Sequence, residues 1–312
     1  MDAHRAHSRP HPLTGGNSGA VLIAVVGITA VIAALLVLLL DSQRLAVRRI
    51  NSLFTTTDMR YMALSGMVSS INILSRDKNN ADGIGDIWYA YREKQTYPLM
   101  NGSIEMALDD ATARPNINMV VGLSTNPTEY QHALRRYLNS KRMPENLVDS
   151  AVDWLDTDDI SNGAGAENSY YQSLMPPYRT PGALMQSPSE MLLLRGAPVE
   201  PDAQQALLDA LTVIPTHSSV NINTVDENFL RALAPEGQIA QVIRQRRKSP
   251  YTSAGAASVE LGMPLPKTVE FSAFSPFFEH TSRVMLEGRQ MGLSVLIDRQ
   301  DGSPQPRRMV WH

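Results

Sequence analysis

The spacing of apolar and polar residues divides the chain into three stretches. Ala20 to Leu40 read AVLIAVVGITAVIAALLVLLL, an uncharged run in which Thr29 carries the one hydroxyl. At about 1.5 Å per residue the run spans roughly 31 Å, enough to cross a hydrocarbon core once. It is too long for the apolar region of an ordinary secretory signal, and no second run of this kind follows. A buried core helix is the lesser reading, because nothing in the run forms a polar face. The prediction is a single membrane-spanning helix ahead of a large body.

From Asp41 to about Ser75 the apolar residues recur at helical spacing. Leu45, Ile50, Phe54, Met62, Leu64, Met67, Val68, Ile71 and Leu74 form the stripe, and no Pro interrupts it. The span is therefore expected to continue into the body as one helix, roughly 80 Å overall. Arg76 to Thr96 is rich in Asp, Asn and Gly and reads as a loop. Tyr97 to Leu108 reads as a strand ended by Asp109 and Asp110.

Between Asn126 and about Gly262 the pattern becomes one of short helices. Asn126-Pro127-x-Glu129, Ser187-Pro188-x-Glu190 and Thr224-x-x-Glu227 each read as an N-cap with an acidic residue at the third helical position. Pro127 and Pro188 fall where a missing N–H costs nothing. Helices are predicted at Thr128–Asn139, Glu145–Leu155, Ser189–Arg195, Asp202–Leu211, Val225–Leu233 and Gln238–Arg247. Strand character returns at Arg283–Glu287, Leu293–Ile297 and Arg308–Val310, with Asp301-Gly302 as a turn. Strands on both sides of a helical block imply an α+β domain with an all-helical insertion.

Composition narrows the chemistry. The chain has 312 residues, 28 basic against 31 acidic, with 43% hydrophobic, which is a globular balance without a basic bias. Cys is absent, which excludes disulfides, thiolate metal sites and Cys nucleophiles. Trp154 and the 15 Met read as core. Charge does not settle orientation: Arg5 and Arg9 precede the span, and Arg44, Arg48 and Arg49 follow it.

One segment is rich in metal-type ligands. Asp153, Asp156, Asp158, Asp159 and Glu167 surround the turn Asn162-Gly163-Ala164-Gly165. Flexible, oxygen-rich loops suit Ca²⁺. Counted from Asp156, positions 1, 3 and 12 match an EF-hand, but Ser161 stands where the loop needs Gly and Ile160 is apolar. The preferred ligands are Asp156, Asp158 and Glu167, with Asp153 and Asp159 behind them. A solvated acidic turn closing a helix is the competing reading.

The junction at Asn17-Ser18-Gly19 places a small residue before the apolar run rather than after it, and so resembles a type IV prepilin leader cut between Gly19 and Ala20. Position five of such a mature chain is Ala24, where pilins and pseudopilins usually carry Glu. A membrane Glu is costly unless paired, and a subunit with no neighbour above has no partner for it. Its absence fits a tip subunit. Four further stretches extend the resemblance: Asn116-Ile117-Asn118; Asp153-Trp154-Leu155-Asp156-x-Asp158 with Gly165-Ala166-Glu167, Tyr170, Pro177-Tyr178-Arg179 and Ser187-x-x-Glu190; Val220-Asn221-Ile222-Asn223-Thr224; and Phe274-Ser275-Pro276-Phe277-Phe278. In this order they resemble the type II secretion system protein K family of minor pseudopilins, over about residues 19–310.

The resemblance implies an α+β fold: a pilin-like domain with a long N-terminal transmembrane helix and antiparallel sheet, carrying a large inserted all-helical domain. It implies a leader at 1–19, a transmembrane helix at 20–40, pilin-like parts at 41–122 and 266–312, and an inserted domain at 123–265. It also implies a non-enzymatic chain in the inner membrane with its body in the periplasm, N-methylated after cleavage and holding structural Ca²⁺. The partners would be the I and J minor pseudopilins, the major pseudopilin, prepilin peptidase and the inner-membrane secretion platform, with no nucleic acid.

Two other readings compete. Val220 to Thr224, Leu230, Ala240, Ile243 and Arg244 also resemble a helix-hairpin-helix DNA-binding module, with the basic run Arg244, Arg246, Arg247 and Lys248 toward phosphate. Its turn, Ala234-Pro235-Glu236-Gly237, lacks the two glycines that such a backbone approach needs and adds a carboxylate. An anchored periplasmic enzyme finds no H-E-x-x-H, G-x-S-x-G or P-loop, and His132, His217, His280 and His312 are scattered.

Overall fold

An apolar run followed by a helical stripe, uninterrupted by Pro, produces one helix, α1 (Asn17–Arg76). A computed structural model describes residues 17–312 apart from Met100, Pro235 and Met263. Residues 1–16 of the expected prepilin-type leader (1–19) and Pro235 of the hairpin turn therefore lie outside the described residues. The chain divides into two units, one ending at Asp58 and the other running Met59–His312. In the first, every described residue of the span is exposed on the helix surface, as a lipid-facing segment requires.

In the second unit the last turns of α1 bury Met59, Ala63, Met67 and Leu74, a single stripe at helical spacing, against a sheet. Gly66 allows the close approach: a Cβ there would lie 3.1 Å from Met106 Sδ and 3.4 Å from His280 Cε1. The sheet contains β1 (Gln95–Leu99), β2 (Gly102–Asp110), β5 (Phe277–Leu286), β6 (Arg289–Asp298) and β7 (Gln305–Trp311). Its order is β1-β2-β5-β6-β7 and every pairing is antiparallel. Trp88, Ile104, Leu108, Phe278, Val284, Leu293, Val295 and Ile297 complete the core beneath α1. The β5–β6 hairpin turns at Glu287 and Gly288, both at positive φ (51° and 74°), the geometry that matches strand twist.

The single strand expected at 97–108 is two strands, because the chain turns back at Asn101 and pairs Leu99 with Gly102, the first residue of β2. The C-terminal strands are also longer than expected. Their ends carry polar residues such as His280 and Ser282, which are buried all the same.

Asp110 pairs with Phe278, so the chain leaves β2 and re-enters β5 at one point of the sheet. Between them lie α2 (Pro127–Ser140), α3 (Leu147–Leu155), α4 (Asn168–Gln172), α5 (Pro201–Ala210), α6 (Glu227–Leu233), α7 (Glu236–Lys248) and α8 (Ala254–Leu261). A two-strand parallel pair, β3 (Val220–Asn221) with β4 (Phe271–Ser272), closes the block. Its core is separate and runs from Ile117 to Phe271, centred on Tyr130, Tyr137, Trp154, Tyr171 and Phe229.

The caps explain why these helices start where they do. Asn126 Oδ1 accepts from Glu129 N at 3.2 Å, and Ser187 with Glu190 forms the full reciprocal box. The segment after Ser187 closes as a 3-10 helix, Pro188–Leu193, rather than an α-helix. Thr224 is not the cap of α6. Its hydroxyl is held by Asp110, and Asp226 caps instead, accepting from Asn228 N at 2.7 Å. Helix α8 escaped the sequence pattern because its apolar residues are mostly Ala.

Candidate functional site

The two Asn-x-Asn stretches are buried brackets for the backbone. Asn116 Oδ1 accepts from Asn118 N and Ile214 N, and its amide donates to Ile214 O at 3.0 Å. Asn118 binds both the N–H and the C=O of Met185, at 2.9 and 3.0 Å. Asn223 does the same to Tyr251, at 2.8 and 3.0 Å. A side-chain amide offers a donor and an acceptor, so it replaces a missing strand neighbour without burying charge.

The joint between sheet and helical block is ionic. Asp82, fully buried, sits in the loop after α1, and its N–H donates to Ala273 O at 2.7 Å. Its carbonyl accepts from Asn221 and Asn223 amides, at 3.1 and 3.0 Å. Its carboxylate accepts from Trp88 Nε1 (3.1 Å), Ser275 N (2.7 Å) and Arg299 Nη2. Burial raises the Asp82 carboxyl to about 7, with Arg299 pulling the other way. Arg299 also donates to Asp77 Oδ2 at 3.1 Å and Ser275 O at 3.2 Å, and lies over the rings of Phe274 and Phe278. Next to it, Asp110 accepts from Thr224, Ser275 and Thr112. Burial pushes its carboxyl up, and these donors oppose the rise.

Among the described residues, two groups of three carboxylates have oxygens within 4.8 Å of one another: Asp77, Asp82 and Asp86, and Asp153, Asp156 and Glu167. Their polar partners separate them. The first group already contains the Arg299 cation, and Asp86 accepts from Gly83 N at 2.6 Å and from Asn79. The second has no cation among the described residues. Asp153 on α3 is fully buried, and its Oδ1 accepts from Asn162 N and Nδ2 at 2.9 and 2.8 Å. Its Oδ2, Asp156 Oδ1 and both oxygens of Glu167 are buried with no hydrogen-bond partner among the described residues.

Four orphaned carboxylate oxygens at one point are expensive unless a cation or protons neutralise them. Burial, then the neighbouring Asp153 and Asp156, raises Glu167 to about 7, and burial raises Asp156 as well. The loop geometry keeps the group open. A Cβ at Gly165 would collide with Asp153 Oδ2, and Gly163 has φ 51° beside Asp149. Arg195 Nη1 donates to Gly165 O at 2.9 Å and fixes the turn from outside. An all-oxygen donor set of this kind fits Ca²⁺.

The structure thus joins Asp156 and Glu167 with Asp153. Asp158 Oδ1 accepts from Ile160 N at 2.8 Å in an exposed turn, outside the group. Asp159 accepts from Asn168 Nδ2 at 3.3 Å. The basic run of α7 is divided: Arg246 is buried and donates to Ile222 O and Val225 O, and Arg247 pairs with Glu227 at 2.7 Å. That arrangement fastens α7 to the segment that follows β3, while Arg244 and Lys248 stay exposed. The ionic joint is the feature that sequence reading missed, since Asp82 and Arg299 look like ordinary loop charges.

Comparison with known proteins gives a consistent picture. A family model described as type II secretion system (T2SS), protein K, matches residues 113–216. Type II secretion system protein K of Pseudomonas aeruginosa is 26% identical, covering 92% of this chain and 90% of its own. The protein of the same description from Pectobacterium carotovorum is 27% identical over 67% of each chain. The fold resembles a chain in the crystal structure of the GspK-GspI-GspJ complex of the enterotoxigenic Escherichia coli type 2 secretion system. That match has a TM-score of 0.65 and 20% identity, and it covers 85% of this chain and 99% of the other. Over most of its length the chain is therefore similar to the type II secretion system protein K family.

Proposed function

We propose that this minor pseudopilin of type II secretion caps the tip of the periplasmic pseudopilus, in company with the I- and J-type minor pseudopilins. The observation that carries the reading is the helical block inserted between adjacent strands β2 and β5 of a helix-backed sheet. A subunit carrying that bulk beside its pilin-like sheet leaves little room for another to stack above it. Ala24 supports the same placement, because a top subunit has no neighbour whose N-terminal amine would pair with a membrane Glu. The solved complex of related description contains I and J chains, which is the basis for those two partners here.

The helix Asn17–Arg76 makes the chain a single-pass membrane anchor with a soluble body. The reading places the anchor in the inner membrane and the body in the periplasm, after peptidase cleavage between Gly19 and Ala20. The chain would act by assembly, not catalysis. Asp153, Asp156 and Glu167 would hold structural Ca²⁺, which supplies the positive charge their buried oxygens lack.

Co-expression with the I and J minor pseudopilins, followed by affinity purification of this chain from membranes, tests the assembly. Both partners should co-purify, and deletion of the chain should abolish export of type II substrates. A chain that purifies alone, in a strain whose export survives the deletion, would refute the proposal.

A further inference from the structure

The positive charge just beyond the span has no role in the reading so far. Arg44, Arg48 and Arg49 follow Leu40 and are all exposed on α1. Between Leu40 and Asp58 the only acidic residue is Asp41, whose carboxylate is 3.4 Å from Arg44. Arg48 and Arg49 form no ion pair among the described residues.

Position makes this cluster more than a solvated face. Arg44 lies about 6 Å past Leu40 and the other two about 12–14 Å past it. The headgroup layer occupies roughly the first 5–7 Å outside the hydrocarbon core. Side chains on a helix lean toward its N-terminus, which here is the membrane end, so Arg48 and Arg49 reach back toward that layer. Arg44 and Arg48 are four residues apart and share one helix face. A guanidinium fork matches two phosphate oxygens. The charges also lie on the body's side of the span, where the positive-inside rule gives Arg no topogenic purpose if the body is exported.

We propose that Arg44, Arg48 and Arg49 form a binding site for anionic phospholipid headgroups in the leaflet facing the soluble body, and that this contact tethers the anchor in the bilayer until assembly withdraws it. The inference rests on the anchor reading of Ala20–Leu40.

The test uses the full chain in nanodiscs of phosphatidylglycerol and phosphatidylcholine in equal amounts with matched acyl chains. After mild detergent extraction, co-purifying lipid is quantified by mass spectrometry. Phosphatidylglycerol should be enriched roughly tenfold, given the usual attraction of each basic residue to an anionic surface. The enrichment should fall to parity in Arg44→Gln/Arg48→Gln/Arg49→Gln and rise in Asp41→Asn. Parity in the parent, or enrichment that survives the triple substitution, overturns the lipid site and leaves a protein partner for these arginines. A parent chain stripped from membranes by alkaline carbonate would overturn the anchor reading as well, whereas a carbonate-resistant chain at parity overturns the lipid site alone.

Discussion

Replacing Arg299 with Met should destabilise the body more than any other single charge removal. The side chain is 5% exposed, and it holds Asp82 and Asp77, whose carboxylates are 0% and 5% exposed. Met keeps most of the volume but leaves both carboxylates without their cation. It also removes the donor to Ser275 O and the cation above Phe274 and Phe278. Breaking a buried pair in this way costs about 3–5 kcal/mol, and that range is expected here. The loss should spread to the helical block, because the Asp82 carbonyl anchors Asn221 and Asn223. It should also depend on pH. Asp82 already sits near 7 through burial, and without Arg299 it rises further, so a protonated Asp82 is favoured in the fold. The variant should therefore lose stability as pH rises from about 6 to 8, because folding must then either take up a proton at Asp82 or bury its charge. Urea unfolding of the full chain in nanodiscs, read by Trp fluorescence, measures this directly, since Trp88 Nε1 donates to Asp82. Asp82→Asn added to Arg299→Met should recover part of the loss. A single variant within about 1 kcal/mol of the parent at both pH values would refute the ionic joint as a stabilising element.

Other consequences follow from particular side chains. His280 is fully buried with Nδ1 2.8 Å from Ser70 Oγ, and burial lowers its pKa from 6.5 to about 4. Its contribution is complete above 6.5 and is lost as pH falls through 4. Acid unfolding over that window should weaken the chain by about 3 kcal/mol, and His280→Asn should flatten the dependence. Glu167→Gln and Asp153→Asn should each abolish calcium-dependent stabilisation, which reaches about 2.7 kcal/mol at a hundredfold excess over Kd. A melting temperature of the parent that ignores both chelator and calcium would end the metal reading. Ala24→Glu places an unpaired carboxyl in the span and should reduce export of type II substrates, measured in culture supernatant; full export would leave the helical block as the sole determinant of tip position.

Local rules made much of the architecture legible in the sequence. The long helix could be read because a stripe at helical spacing continued past the apolar run without Pro, and the caps at Asn126 and Ser187 formed as written. The failures are tertiary in origin. Thr224 looks like a cap, but Asp110, far away in sequence, takes its hydroxyl. The β1–β2 turn at Asn101 lay hidden inside what reads as one strand. In the acidic segment, spacing along a loop favoured Asp158, whereas Asp153, turned inward from the last turn of α3, meets Asp156 from the extended residue that ends the helix, together with Glu167. Arg299 had no local signal, because its partners come from the loop after α1.

Membership of the pseudopilus is tested most directly at the N-terminus. Intact mass and N-terminal sequence should be determined for the membrane-extracted chain, from cells with and without prepilin peptidase. The account predicts a chain that begins at Ala20, N-methylated, only when the peptidase is present. A chain that begins at Met1 in both strains, or one cut after Leu40 and released from the membrane, would contradict it.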